Sequence, residues 1–126
     1  MKTIKKECHI MAPLNAVWDA LVNPKTIDKW GGGPVKMSER KEKFSLWDGE
    51  IHGTNLEVIP HKKLAQEWYS SDDPNHATQV TFTLTHKGNC TTLYLKHEKV
   101  SDKNYDSINE GWELYYLGEI KKLLEG

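Results

Sequence analysis

The chain has 126 residues, enough for one domain of ordinary size and too few for two. A chain of that length buries about two-thirds of its unfolded surface, so folding requires neither a metal nor a disulfide. Seventeen basic residues against eighteen acidic ones leave a net charge of -1, which argues against a generic nucleic-acid binder, and 28% charged with 10% aromatic residues describes a globular chain.

No apolar run approaches the roughly 18–20 residues of a membrane helix. The stretch from Met1 to Glu7 is basic but lacks the apolar core of a signal peptide, so the expected location is the cytoplasm. Cys8 and Cys90 both fall in strand-like segments and are expected to be reduced there.

Thr3 to Met11 reads as a strand with Ile4, Cys8 and Ile10 on one face. Pro13 then opens a short helix whose buried stripe is Leu14, Val17, Trp18 and Leu21. Asn23-Pro24 breaks the chain and starts a second short helix, Lys25 to Trp30, which Gly31-Gly32-Gly33-Pro34 ends. Val35 to Arg40 and Lys43 to Trp47 are short strand candidates, and Asp48-Gly49 suits a tight hairpin turn. Glu50 to Ile59 and Lys63 to Ser70 are the next strands, with Ser71 to Asn75 as a loop. His76 to His86 and Cys90 to Val100 form a hairpin around Lys87-Gly88-Asn89, with Val80, Phe82, Leu84, Leu93 and Leu95 pointing inward. A long helix closes the chain from about Ser107 to Glu125. Ser107 and Glu110 fit a capping box, and Ile108, Trp112, Tyr115, Tyr116, Ile120 and Leu123 make its apolar stripe.

A sheet with one apolar face must cover it, and the last helix is the only element long enough. The expectation is one α+β domain over residues 1–126: a curved antiparallel sheet of about six strands around the C-terminal helix, with two short helices after the first strand. A curved sheet gripping one helix leaves a space at one end, the first place to seek function.

Several residue runs carry a resemblance. They are Ile10-Met11-Ala12-Pro13 with Val17-Trp18-Asp19-Ala20-Leu21, the stretch Phe44 to Gly53, Leu56-Glu57, Lys62-Lys63-Leu64, Trp68, the run His76 to Thr81, Thr91-Thr92-Leu93, and Glu110-Gly111-Trp112 with Tyr115-Tyr116. Together they resemble the helix-grip fold of the START-like (SRPBCC, Bet v-like) superfamily. Within it they are most similar to the C-terminal domain of the activators of the ninety-kilodalton heat-shock chaperone ATPase. The resemblance covers nearly the whole chain. It implies a chaperone partner, although much of the chaperone contact in eukaryotic activators belongs to a separate N-terminal domain for which 126 residues leave no room. Other relatives resemble small-molecule carriers, and some distant ones are cyclases or hydrolases; fold alone does not choose among these.

The residues themselves offer no His-Glu-x-x-His, no Cys-x-x-Cys and no nucleophile elbow, and the six histidines lack ligand spacing, so neither a metal nor a cofactor is expected. Gly31-Gly32-Gly33 lacks the Lys-Ser or Lys-Thr that a phosphate loop needs. Strand alternation places Gln66 with Leu64 and Trp68, and His97 with Leu93 and Leu95, on the inner face. Asn55 and Glu57 join them if Ile51, Gly53 and Ile59 face inward, whereas Leu56 and Val58 favour the opposite register. Gln66, His97 and Asn55 are polar handles for a cavity, or they satisfy one another or meet solvent near strand ends. Glu119 falls within the helix stripe and either faces the cavity or is solvated beyond the sheet edge. Trp30, Trp47, Trp68, Phe82, Trp112, Tyr115 and Tyr116 are candidates to line a pocket or to form the core, with Trp30 placed at the mouth. Gly111 inside a helix suggests a close neighbour, protein or ligand. The leading expectation is a non-enzymatic protein that holds a small hydrophobic or aromatic molecule. A co-chaperone module and a cyclase- or hydrolase-like enzyme are the alternatives.

Overall fold

A computed structural model describes residues 1–126. Six antiparallel strands form one curved sheet: β1 (Lys2–Ile10), β2 (Lys43–Leu46), β3 (Ile51–Ile59), β4 (Lys63–Ser70), β5 (Asp73–Lys87) and β6 (Cys90–Val100). Their spatial order is β1-β6-β5-β4-β3-β2, so every neighbour except the β1–β6 pair is joined by a hairpin. Two short helices, α1 (Leu14–Val22) and α2 (Pro24–Trp30), follow β1. The C-terminal helix comprises α3 (Tyr105–Gly111), a π-helical segment (Trp112–Leu117) and α4 (Gly118–Glu125). No helix is long and apolar enough to cross a membrane.

The period-two pattern places the core. Leu64, Val80, Phe82, Leu84, Leu93 and Leu95 are buried on the inner face, whereas Thr83, Thr85, Tyr94 and Lys96 are exposed on the other. Val17, Trp18, Leu21, Ile27, Trp112, Tyr116 and Ile120 cover the inner face from the helices. Both cysteines are free thiols.

Four expectations shift. Val35 to Arg40 is not a strand: only Lys36 bridges Ser45, because the carbonyls of Ser38 and Arg40 accept hydrogen bonds from the Asn55 amide at 3.1 and 3.0 Å. The loop Ser71 to Asn75 shrinks to the turn Ser71-Asp72, since Asp73 already pairs with Ser70. Pro74 is accommodated there because the β4–β5 register is irregular, so its missing N–H breaks no regular ladder. The capping box does not form: a turn at Asp102–Asn104 starts the helix earlier, and Ser107 lies inside it.

Fourth, the stripe on the last helix changes phase. The wider turn of the π segment leaves Tyr115 63% exposed and carries Leu117 into the core instead. The close approach expected at Gly111 occurs at Gly118. A β-carbon there would sit 2.1 Å from the Glu113 carbonyl oxygen, which accepts from the Gly118 N–H across the π turn, whereas at Gly111 it would meet only Tyr115 at 3.8 Å.

Neither register reading of β3 holds along the whole strand. Gly53 and Asn55 face inward, a bulge intervenes between Asn55 and Glu57, and Val58 then packs on the core while Leu56 and Ile59 are exposed.

Candidate functional site: an aromatic cleft at the end of the sheet

At one end of the sheet, two hairpin turns and the first half of the C-terminal helix enclose a cleft of about 490 Å³. The turn after β2 contributes Trp47 and Glu50, and β3 and β4 contribute Ile51 and Trp68. The turn into β5 adds Ser70, Ser71 and Asp72, and the helix supplies Ser107, Ile108, Gly111, Trp112, Tyr115 and Tyr116. The Ser71 N–H donates to the Glu50 carbonyl at 2.8 Å and ties the two turns together.

Trp47 is held from the glycine-rich segment that ends α2. Its backbone N–H donates to the Gly32 carbonyl and its indole N–H to the Gly31 carbonyl, each at 2.8 Å. Gly31, at φ +104°, adopts the left-handed conformation that directs the chain this way. Trp47 itself lies at φ +49°, and the turn continues through Asp48 at φ +55°. From the sequence alone the three glycines read as a helix stop. The signal that tied them to Trp47 is not local, since it needs the fold to bring residues 31 and 47 together.

The floor is a packed aromatic cluster. Tyr116 sits at its centre, with ring centroids of Trp30 at 4.7 Å, Trp112 at 4.8 Å and Phe82 at 5.5 Å. Trp68 stacks on Trp112 at 5.0 Å. Trp47, Trp68, Trp112, Tyr115 and Tyr116 of the candidates therefore line the cleft.

The others do not. Trp30 is 2% exposed, donates its indole N–H to the Ala20 carbonyl at 2.8 Å, and backs Trp47 from within instead of standing at the mouth. Phe82 lies fully buried beneath Trp112 and Tyr116. Glu119 is half-buried on α4, beyond the last helical residue that lines the cleft. Asn55 and Gln66 are buried in mid-sheet and satisfy each other: Gln66 Nε2 donates to Asn55 Oδ1 at 2.9 Å, and Trp68 Nε1 donates to Gln66 Oε1 at 2.8 Å.

His97 occupies an adjoining pocket of about 100 Å³, which shares Ile51, Trp68, Ser70 and Ile108 with the cleft. An indole N–H can only donate, so the 3.0 Å contact from Trp112 Nε1 makes His97 Nδ1 an acceptor and places the ring proton on Nε2. That Nε2 then donates to Thr78 Oγ1 at 2.8 Å. Burial lowers the His97 pKa to about 4, so the ring is neutral near pH 7. No group of three His, Cys, Asp or Glu side chains is arranged to hold a metal ion.

The residue that sequence reasoning undervalued is Tyr116. Its hydroxyl is the one buried side-chain oxygen or nitrogen without a hydrogen-bond partner, and burial raises its pKa.

Comparison with known proteins then places the chain. Residues 11–125 match the model of the family "Activator of Hsp90 ATPase homolog 1-like protein". The chain belongs to this family. It is 26% identical over 123 residues to activator of 90 kDa heat shock protein ATPase homolog 1 of Homo sapiens, covering 96% of this chain and 36% of that protein. It is 28% identical over 124 residues to the corresponding homolog of Dictyostelium discoideum, covering 95% of this chain and 32% of that one. The chain thus spans about a third of the length of the curated activators it matches. Among solved structures, an HSP90 activator from Plasmodium falciparum superposes with a TM-score of 0.88 at 22% identity, over 99% of this chain and 97% of its own, and shows the same fold. CalU16 from Micromonospora echinospora superposes with a TM-score of 0.85 at 26% identity, over 98% of this chain and 74% of its own.

Proposed function

We propose that this Hsp90-activator-like domain is a non-enzymatic binding module whose working site is the aromatic cleft, and that the cleft holds a small apolar or aromatic molecule. The observation that carries this reading is the wall itself. Three tryptophans, two tyrosines and two isoleucines converge on a space of about 490 Å³, within the range of small-molecule sites. Gly111 presents bare backbone to that space, so the helix does not narrow it. Apolar burial supplies affinity, and the few polar groups at the rim set orientation.

A thermal-shift screen against fatty acids, sterols, flavonoids and polyketide-like aromatics tests it. A ligand at 100 times its Kd adds about 2.7 kcal/mol, a rise of several degrees for a domain of this size. The expected result is such a rise for at least one class, lost in Trp112→Ala. A flat response from the folded protein across all classes would overturn the reading.

Family membership favours a second reading, in which the domain contacts a chaperone of the Hsp90 type. A pull-down with the Hsp90 of the same cell tests this one. Retention at tens of micromolar supports it, and failure to bind at that concentration ends it.

A further inference from the structure

The charges around the cleft are one-sided. Glu50 and Asp72 line it, and Asp73 lines the small pocket that opens beside it. None of the three carboxylates takes part in any of the ion pairs in the protein. No lysine or arginine lines either space. This is a local bias, because the chain as a whole carries a net charge of only -1. His97 in the small pocket does not offset it, since burial holds its ring neutral.

Aromatic faces add to the bias. The face of Trp47, the partly exposed tryptophan of the cleft, carries a negative quadrupole, and tryptophan is the best of the aromatic partners for a cation. Resting on the cleft as a binding site, we propose that it selects organic cations: an aromatic or apolar body that bears one ammonium group. The body lies against Trp47 and Tyr115, over the stacked pair of Trp68 and Trp112, and the ammonium lies toward Glu50 and Asp72. An anionic ligand of the same shape meets two unpaired carboxylates and no cation.

Three probes of one shape separate the possibilities by isothermal titration calorimetry at pH 7: 2-naphthylmethylammonium, 2-naphthalenemethanol and 2-naphthoate. The ammonium is expected to bind about five-fold more tightly than the alcohol, and the carboxylate to bind weakest. The double variant Glu50→Gln with Asp72→Asn alters two exposed side chains, so folding is not at risk. It is expected to bring the ammonium within about two-fold of the alcohol. Equal binding of ammonium and alcohol, tighter binding of the carboxylate, or a preference that survives the double variant each overturns the selection for cations and leaves the cleft reading intact. No binding of any probe overturns the cleft reading itself, and this inference with it.

Discussion

The Tyr116 hydroxyl gives the sharpest test of the packing. It lies in the middle of the aromatic cluster, 1% exposed, with no partner. A buried hydroxyl stripped of hydrogen bonds costs about 1–3 kcal/mol. Tyr116→Phe removes that oxygen, keeps the ring and leaves a gap smaller than a methyl group. The variant is therefore expected to be more stable than the parent by about 1–2 kcal/mol. Unfolding entropy near 60 °C is about 2.1 cal/mol/K per residue, or about 0.26 kcal/mol/K for this length, so Tm should rise by about 4–8 °C. Differential scanning calorimetry in ligand-free buffer measures it, and a urea titration with unchanged m confirms that the gain is one of stability. A hydrogen-bonded tyrosine would behave oppositely, losing about 0.5–1.5 kcal/mol on the same substitution. An unchanged or lower Tm would refute the reasoning and show that the hydroxyl is satisfied in solution.

Three further outcomes follow from the same contacts. His97 has a folded pKa of about 4 against 6.5 when unfolded, so the unfolded chain takes up the proton first; stability is full above pH 6.5, falls by roughly 3 kcal/mol as pH drops to about 4, and then levels. Urea titrations at pH 7, 5.5 and 4.5 should show this, and His97→Gln should reduce the slope in that window by about 1.4 kcal/mol per pH unit. Gln66→Leu strands the Trp68 indole N–H and the Asn55 carbonyl oxygen, each a buried group worth about 1–3 kcal/mol, so its urea midpoint should fall well below that of Thr83→Val on the exposed face. Gly118→Ala drives a β-carbon to 2.1 Å from the Glu113 carbonyl, so the π segment must rearrange: Tm should fall and tryptophan fluorescence should change as Trp112 moves, and a variant with both unchanged would contradict the π geometry.

Most of the fold was legible because its signals are local. Alternation over Val80 to Leu84 and Leu93 to Leu95 fixed the inner face of the central hairpin, and Pro13 and Asn23-Pro24 marked the starts of the two short helices. The departures came where a distant group or a change of helical pitch overrode the local pattern. Val35 to Arg40 has the composition of a strand, but the Asn55 amide claims two of its carbonyls. The helix stripe read at 3.6 residues per turn put Tyr115 inside. A π turn, permitted by Gly118, moved it out and brought Leu117 in.

The same distinction explains the site. The aromatic walls could be named from sequence, since bulky rings on an inward-facing strand or helix stripe have few places to go. The polar members could not, because inward direction does not distinguish a free group from a satisfied one. Asn55, Gln66 and His97 all point inward, and each spends its hydrogen bonds on a residue far away in sequence: Asn55 on Ser38 and Arg40, Gln66 on Asn55, His97 on Thr78 and Trp112. Those bonds make them parts of the sheet's interior, and none of the three lines the cleft. What remains for a ligand is what the interior left unused, among it the carboxylates of Glu50 and Asp72 on the two turns. A hydrogen-bond inventory of the folded chain therefore locates binding chemistry here better than any list of inward-facing polar residues.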